Sequence, residues 1–201
     1  MRRPFLYLLT ALLLSFPFPL RASDPADDIL DLFRPGMDRE EALERAGARP
    51  RGGTADKLRF RLEWAARAWD VTLTFLRGKT VSVRWETGLE ATAARDLRAL
   101  LRRRGFVPAW HEDAERTDFF RLARRGMGKE ARLRLFDARL DALLKAGETP
   151  GLTVLMPEGV FEACANLDAP DRAAVLERHR RELFVLGIDR PGGRLFLTTA
   201  P

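Results

Sequence analysis

The chain has 201 residues, with 35 Lys plus Arg against 29 Asp plus Glu, and all but four of its basic residues are arginine. A hydrophobic content of 46% and a charged content of 32% exclude a multi-span membrane protein and a disordered chain. The length suits one domain or two small ones. The single cysteine excludes an intramolecular disulfide framework and a thiolate zinc cluster.

Residues 1–22 have the anatomy of a bacterial secretory signal peptide. Met1-Arg2-Arg3 is basic, residues 5–20 carry no charge, and Ala22 offers a small residue at a cleavage position. The uncharged run is shorter than the ~20 residues that cross a bilayer, so a cleaved signal is favoured over a retained anchor. We therefore expect a periplasmic protein, with secretion as an extension of the same route and no transmembrane anchor after cleavage. General secretion is favoured over twin-arginine export, although Arg2-Arg3 superficially fits the latter.

The predicted signal peptide accounts for half of the positive charge. It contains three arginines and no acid, so its removal lowers the formal surplus from +6 to +3. Acidic and basic residues are interspersed along the rest of the chain, which is not the pattern of a nucleic-acid-binding surface. We expect no nucleic-acid partner.

Helices and strands alternate in the first part of the chain. A short helix is predicted over 24–33. A second helix begins at Asp38, which can cap it together with Glu41, and ends at Gly47. Alternation of apolar and polar residues then predicts three strands, over residues 58–64, 70–76 and 80–86. The last two strands form a hairpin around Arg77-Gly78-Lys79.

The same order of elements returns after residue 86. Thr87 and Glu90 resemble a second capping box, which predicts a helix over 89–104. A strand over 106–110 follows, in which Pro108 requires an edge or an irregular position. Alternation then predicts a further hairpin, formed by residues 117–124 and 130–135. Two tandem helix-plus-three-strand units, as from a duplication, are compatible with this order.

The last third is predicted to add helices and a closing hairpin. Its elements are a helix over 137–146, a strand over 152–156, helices over 160–167 and 168–181, and strands over 183–188 and 194–198. The fold class is α+β, with short antiparallel hairpin sheets covered by helices. Residues 23–86 form one helix-hairpin unit and residues 87–201 a second α+β unit, either separate from the first or continuous with it.

One stretch resembles a known family. Residues 32–50, read as Gly-Met, a polar cap, an acidic helical turn and a closing Gly and Pro, resemble the SmpA/OmlA family, and residues 74–83 resemble its strand–turn–strand. The resemblance covers roughly residues 29–86. It implies a helix pair packed on a three-stranded antiparallel sheet, in small periplasm-facing lipoproteins of the outer-membrane assembly machinery. β-Lactamase-inhibitor-like proteins, similar in fold, carry the unit in tandem. This chain departs from the family because its signal region lacks the lipid-accepting cysteine.

Candidate catalytic residues are few. Cys164 and His179 are one conceivable nucleophile–base pair, although the small apolar residues around Cys164 favour a core position. His111, Glu112 and Asp113 place three proton-transfer groups together, for which a solvated hairpin loop is the simpler interpretation. No metal site and no cofactor are expected.

Candidate binding residues lie on the predicted strands. Trp69 is the tryptophan most expected to be exposed, because Ala65-Ala66-Arg67-Ala68 interrupts the alternation beside it. Arg59 and Arg61 on one strand, and Arg132 and Arg134 on another, present guanidinium groups that suit an acidic partner or an anionic polymer. Charged solvent faces also discourage edge-to-edge aggregation, which is a sufficient reason for such residues.

The leading hypothesis is a non-enzymatic periplasmic binding or envelope-associated accessory protein that acts through a sheet face or edge. Its partner is expected to be another envelope protein or an anionic envelope component. One alternative is a small periplasmic enzyme that uses His111, Glu112 and Asp113, or Cys164 and His179. The other is an inhibitor-like protein with tandem units.

Overall fold

The computed structural model describes residues 29–145 and 150–199. The whole predicted signal peptide, its cleavage position, the first residues of the helix predicted over 24–33 and the predicted helix end at residues 146 and 147 therefore lie outside the described residues. The described helices are α1 (Ile29–Leu32), α2 (Arg39–Ala46), α3 (Ala91–Arg103), α4 (Phe119–Arg124), α5 (Lys129–Lys145), α6 (Glu158–Ala165) and α7 (Ala169–Arg178), with a 3₁₀ turn at Arg180–Glu182. Within these ranges, none of the helices combines the length and the apolar character that crossing a bilayer requires.

Within the described ranges, nine strands form one antiparallel sheet, and the predicted α+β class is confirmed. The strands are β1 (Gly52–Thr54), β2 (Lys57–Trp64), β3 (Arg67–Leu76), β4 (Lys79–Gly88), β5 (Phe106–Glu112), β6 (Arg116–Asp118), β7 (Gly151–Pro157), β8 (Phe184–Asp189) and β9 (Arg194–Thr199). Their order across the sheet is β1-β2-β3-β4-β9-β8-β7-β5-β6. The β3–β4 and β8–β9 hairpins are confirmed where the alternation and the turn residues predict them.

The predicted hairpin at 117–124 and 130–135 is wrong, because most of these residues are helical. Asp118 accepts a hydrogen bond from the backbone N–H of Arg121 and so caps α4. In α5, buried residues recur at helical spacing, as Leu133, Phe136 and Leu140 show. The second unit is therefore not a helix followed by three consecutive strands.

The two helix caps proposed from the sequence have different outcomes. Asp38 caps α2 as predicted, since its carboxylate accepts from the N–H of Glu41 at 2.9 Å. Thr87 does not cap α3, because it lies within β4 and its hydroxyl donates to the carbonyl of Ala68. Pro108 sits at the register shift between β5 and β7, the irregular position that its missing N–H requires.

The inner face of the sheet holds the hydrophobic core. Leu197 of β9 lies opposite both Trp85 of β4 and Leu186 of β8, and all three are nearly inaccessible to solvent. The Phe33 ring from the segment after α1 stacks on Phe60 of β2, which places this N-terminal segment on the same face. The alternate residues of each strand consequently point to the opposite, outer face.

A stack of four side chains joins the helices of the second unit. Phe120 of α4 and Phe161 of α6 are stacked, with ring centroids 4.6 Å apart. The guanidinium of Arg132 lies over Phe161 at 4.7 Å, and that of Arg172 lies over Phe120 at 4.6 Å. Cations on both outer sides of an aromatic pair interact favourably with its π faces, so Arg132 and Arg172 contribute to helix packing.

Candidate binding surface

Two rows of outer-face residues cross the sheet, and the strand registers define them. The first row is Arg59, Thr72, Arg84, Thr198, Val185, Val154, Trp110 and Asp118. The second row is Arg61, Asp70, Glu86, Phe196, Gly187, Leu152, Glu112 and Arg116. We call these sixteen residues the outer rows.

Polar and apolar residues are segregated along the outer rows. The β2, β3 and β4 positions are charged or hydroxyl-bearing, whereas the positions on β9, β8 and β7 are mostly apolar. Leu152, on β7 and opposite Glu112 of β5, is 44% exposed, while Val154 and Val185 are half-buried. An apolar centre with a charged rim is the anatomy of many protein–protein interfaces.

A layered contact marks the boundary between the polar and apolar parts. Gly187 has no side chain, and a Cβ at this position would clash with Cζ of Phe196, so the Phe196 ring covers the Gly187 backbone. The guanidinium of Arg84 lies 3.9 Å from the centroid of that ring and donates to Oε1 of Glu86 at 2.9 Å. Because the Arg84 side chain keeps 38% exposure, this contact presents a planar cationic group to solvent.

Arg59 and Arg61 lie where the sequence places them, on the outer face of β2. Both are exposed, and no ion pair within the described part of the chain engages either guanidinium. Arg61 lies directly opposite Asp70 of β3, whose carboxylate is 3.3 Å from the guanidinium of Arg194. The polar end of the outer rows is therefore a mixed but arginine-rich surface.

Trp69 does not belong to this surface, and its predicted exposure is wrong. The side chain is 1% exposed, its ring makes an edge contact with Trp64, and its indole N–H donates to the Trp64 carbonyl. The reason is the turn between β2 and β3, in which Ala65 and Ala66 both adopt positive φ. A two-residue turn preserves the pairing register, so Trp69 returns to the inner face.

The prediction that Arg132 and Arg134 lie on a strand is also wrong. Both belong to α5, as described above. Arg132 is 7% exposed, donates to the Met127 carbonyl and stacks on Phe161, which leaves it no role as a surface ligand. Arg134 is exposed on the same helix and is not part of the outer rows.

The structure separates Glu112 from the other two proton-transfer groups, His111 and Asp113, which stay in contact. His111 and Glu112 occupy β5, where the imidazole points to the inner face and is fully buried, while Glu112 points to the outer face. Nδ1 of His111 lies 2.7 Å from Oγ1 of Thr153, and Nε2 lies 3.2 Å from Oδ2 of Asp113. Because a carboxylate only accepts, Nε2 carries the proton and Nδ1 accepts from the Thr153 hydroxyl. These two hydrogen bonds of the His111 side chain join β5 to β7 and to the turn after β5.

Burial decides the protonation of this cross-link. It lowers the pKa of His111 below the ordinary histidine value, and Asp113 offsets only part of that effect. Burial raises the pKa of Asp113, but the Glu115 N–H and the neighbouring His111 and Arg139 outweigh it, so the net shift is downward. A neutral imidazole with no exposed surface is placed to support structure rather than to meet a substrate.

Cys164 and His179 make no hydrogen bond to each other within the described ranges. Cys164 is fully buried in α6, and burial raises the pKa of its thiol, which disfavours the reactive thiolate. His179 follows α7, where its Nδ1 lies 2.8 Å from Oε1 of Glu182. Among the described residues, no group of three or more His, Cys, Asp or Glu side chains is arranged to hold a metal ion.

No family model, no curated protein and no solved structure matches this chain. The resemblance of residues 29–86 to the SmpA/OmlA family therefore stays a prediction.

Proposed function

We propose that this protein is an exported, periplasmic, non-enzymatic accessory module that binds another envelope protein through the outer rows of its sheet. The observation that carries the proposal is the exposed Leu152 within an apolar centre, flanked by the Arg84–Phe196 contact. Export rests on the sequence pattern of residues 1–22.

The physical support comes from the composition and the rigidity of the surface. Interface centres are enriched in aromatic residues and arginine and are surrounded by polar residues that exclude water. Here the apolar centre lies on paired strands, so its side chains are held in place before a partner arrives, which reduces the entropic cost of binding. The charges of Arg59, Arg61 and Asp70 at one end would orient an oppositely patterned partner.

Site-specific photo-crosslinking in the producing bacterium tests the proposal directly. A photoreactive residue replaces Leu152 in one strain and Leu76 in the control strain, because Leu76 is also an exposed leucine, at 63%, but lies outside the outer rows. We expect a discrete adduct with an envelope protein from position 152 and none from position 76. Cell fractionation in the same experiment should recover the protein from the periplasm.

Substitutions then establish that the adduct reports binding. Arg84→Glu should weaken the adduct formed from position 152, because it removes the guanidinium over Phe196, whereas Arg134→Glu reverses an exposed charge on α5 and should leave it unchanged. Equal crosslinking from positions 152 and 76 would reject the outer rows as the binding surface. Loss of the position-152 adduct in both Arg84→Glu and Arg134→Glu would reject them as well. Recovery from the cytoplasm would reject the export assignment alone.

A further inference from the structure

A cleft lined by the segment after α1, the start of β4 and the end of α7 contains three arginines. It has a volume of about 470 Å³ and lies between the start of β4 and the end of α7 with the 3₁₀ turn that follows it. Pro35 and Thr80 line one wall, and Arg178, Arg180 and Arg181 line the other. None of these residues belongs to the outer rows, so the cleft is a separate site.

The charge of the lining is strongly positive. Three arginines line the cleft, and the one carboxylate-bearing residue among its described lining residues is Glu177. Glu177 is engaged with Arg180, since its Oε1 lies 3.3 Å from a guanidinium nitrogen. Guanidinium groups bind phosphate and carboxylate oxygens with paired N–H donors, so this cleft is suited to an anion.

Contacts within the protein explain the positions of Arg178 and Arg180 but not that of Arg181. Arg178 lies in the last turn of α7, where a cation suits the helix dipole, and its Nε donates to the Ala174 carbonyl. Arg180 has the Glu177 carboxylate. Arg181 is exposed beside them, and no hydrogen bond or ion pair within the described ranges engages its guanidinium.

Thr80 supplies an independent observation on the opposite wall. Its backbone is fully engaged, since the N–H donates to Met37 and the carbonyl accepts from Gly36. Thr80 is 2% exposed, yet its Oγ1 has no hydrogen-bond partner among the described residues. A buried hydroxyl without a partner is costly, and a ligand oxygen in the cleft would satisfy it.

We propose that the cleft binds the phosphoryl group of a phosphate monoester. A phosphate dianion matches the surplus of guanidinium groups, accepts from several donors at once, and also accepts from the Thr80 hydroxyl. Arg178 and Arg181 hold its oxygens from one wall and Thr80 from the other. The remaining volume accommodates a small organic substituent on the ester oxygen.

Calorimetric titration of the purified protein with glycerol 3-phosphate tests the proposal, with inorganic phosphate as the minimal probe and succinate as a carboxylate of equal charge. We expect saturable binding of both phosphates and tighter binding of the ester. Arg181→Gln should weaken binding about tenfold, because one charge-assisted hydrogen-bond pair is lost. Arg134→Gln, an exposed arginine on α5, should leave it unchanged. Absence of saturable binding, equal weakening by both variants, or succinate binding as tightly as glycerol 3-phosphate would overturn the proposal.

Two further arms examine the hydroxyl and the source of the phosphate. Thr80→Val should weaken phosphate binding without lowering the thermal midpoint of the protein. Thr80→Ser keeps the hydroxyl and should bind like the wild type. Unchanged binding by Thr80→Val would overturn the assigned role of the hydroxyl.

Cosedimentation with phosphatidylcholine vesicles, with and without phosphatidic acid, separates a lipid headgroup from a soluble ester. Binding in either form supports a phosphate monoester site. Outer-row variants should not affect these titrations, so failure here is distinguishable from failure of the proposed function.

Discussion

Acidification should destabilise this protein through His111 before its carboxylates are protonated. The imidazole is fully buried and neutral, and burial holds its pKa below the ordinary value of 6.5. The unfolded chain therefore binds a proton as the pH falls through about 6.5, while the folded chain does not. The stabilisation that neutral His111 contributes is complete above about pH 6.5. It is lost progressively as the pH falls further, until the pH reaches the lower pKa of His111 in the folded state.

The size of the effect follows from one proton. A single group that is protonated only in the unfolded state changes the free energy of unfolding by at most about 1.4 kcal/mol per pH unit. The charged groups that face His111 are Asp113 and, through it, Arg139. The pKa of Asp113 is itself lowered, so its contribution is lost only below the ordinary aspartate range, at a pH lower than the His111 transition. The two effects therefore occupy different pH windows.

Urea unfolding followed by tryptophan fluorescence between pH 7.5 and 5.0 measures this directly. As the pH falls, the free energy of unfolding of the wild-type protein should decrease more than that of His111→Gln. Glutamine keeps a donor and an acceptor but does not titrate. His179→Gln is the matched control and should retain the full His111-dependent fall, because its imidazole lies outside the cross-link. Parallel stability curves for the wild type and His111→Gln would refute the reasoning, since the pKa of His111 would then be equal in both states.

Three further changes test the packing of the described residues. Gly187→Ala should cost about 1–3 kcal/mol through overpacking against the Phe196 ring, and combining it with Phe196→Ala should cost less than the sum of the two in urea unfolding; simple additivity would contradict the clash. Arg132→Gln should cost about 1–2 kcal/mol, because it removes the cation from Phe161 and the bond to Met127, whereas Arg134→Gln on the same helix should cost less than about 0.5 kcal/mol. Cys164 should react with a disulfide reagent at least about a hundredfold more slowly in the native protein than in concentrated urea, and a native rate near the unfolded rate would disprove its burial.

The strand β2 was predictable from its alternating residue pattern. Leu58, Phe60 and Trp64 alternate with charged residues, and the structure buries the first set and exposes the second. The segment at 130–135 alternates as well, but it belongs to α5, whose apolar residues continue at helical spacing through Phe136 and Leu140. Six residues were too few to distinguish the two periods, and the longer window decides for the helix.

The candidate surface was only partly predictable, since its contacts join residues that are distant in sequence. Alternation alone places Arg59 and Arg61 on the outer face, whereas the Arg84–Phe196 contact depends on pairing between β4 and β9. A glycine within a predicted strand, Gly187, was the one local signal of a close approach. The burial of His111 was equally non-local, because its partner Thr153 lies on a strand 42 residues later.

Pairing of β4 with β9 makes the outer rows a product of both parts of the chain. The arginine-rich end belongs to β2, β3 and β4, and the apolar centre belongs to β9, β8 and β7. On the inner face the same seam is closed by Trp85 against Phe184, with ring centroids 6.1 Å apart. The segment that resembles the SmpA/OmlA family thus supplies one half of the proposed surface and none of its apolar centre. A partner that requires both halves would recognise this chain and not an isolated unit of that kind, because specificity arises from the combination of the charged and apolar contacts.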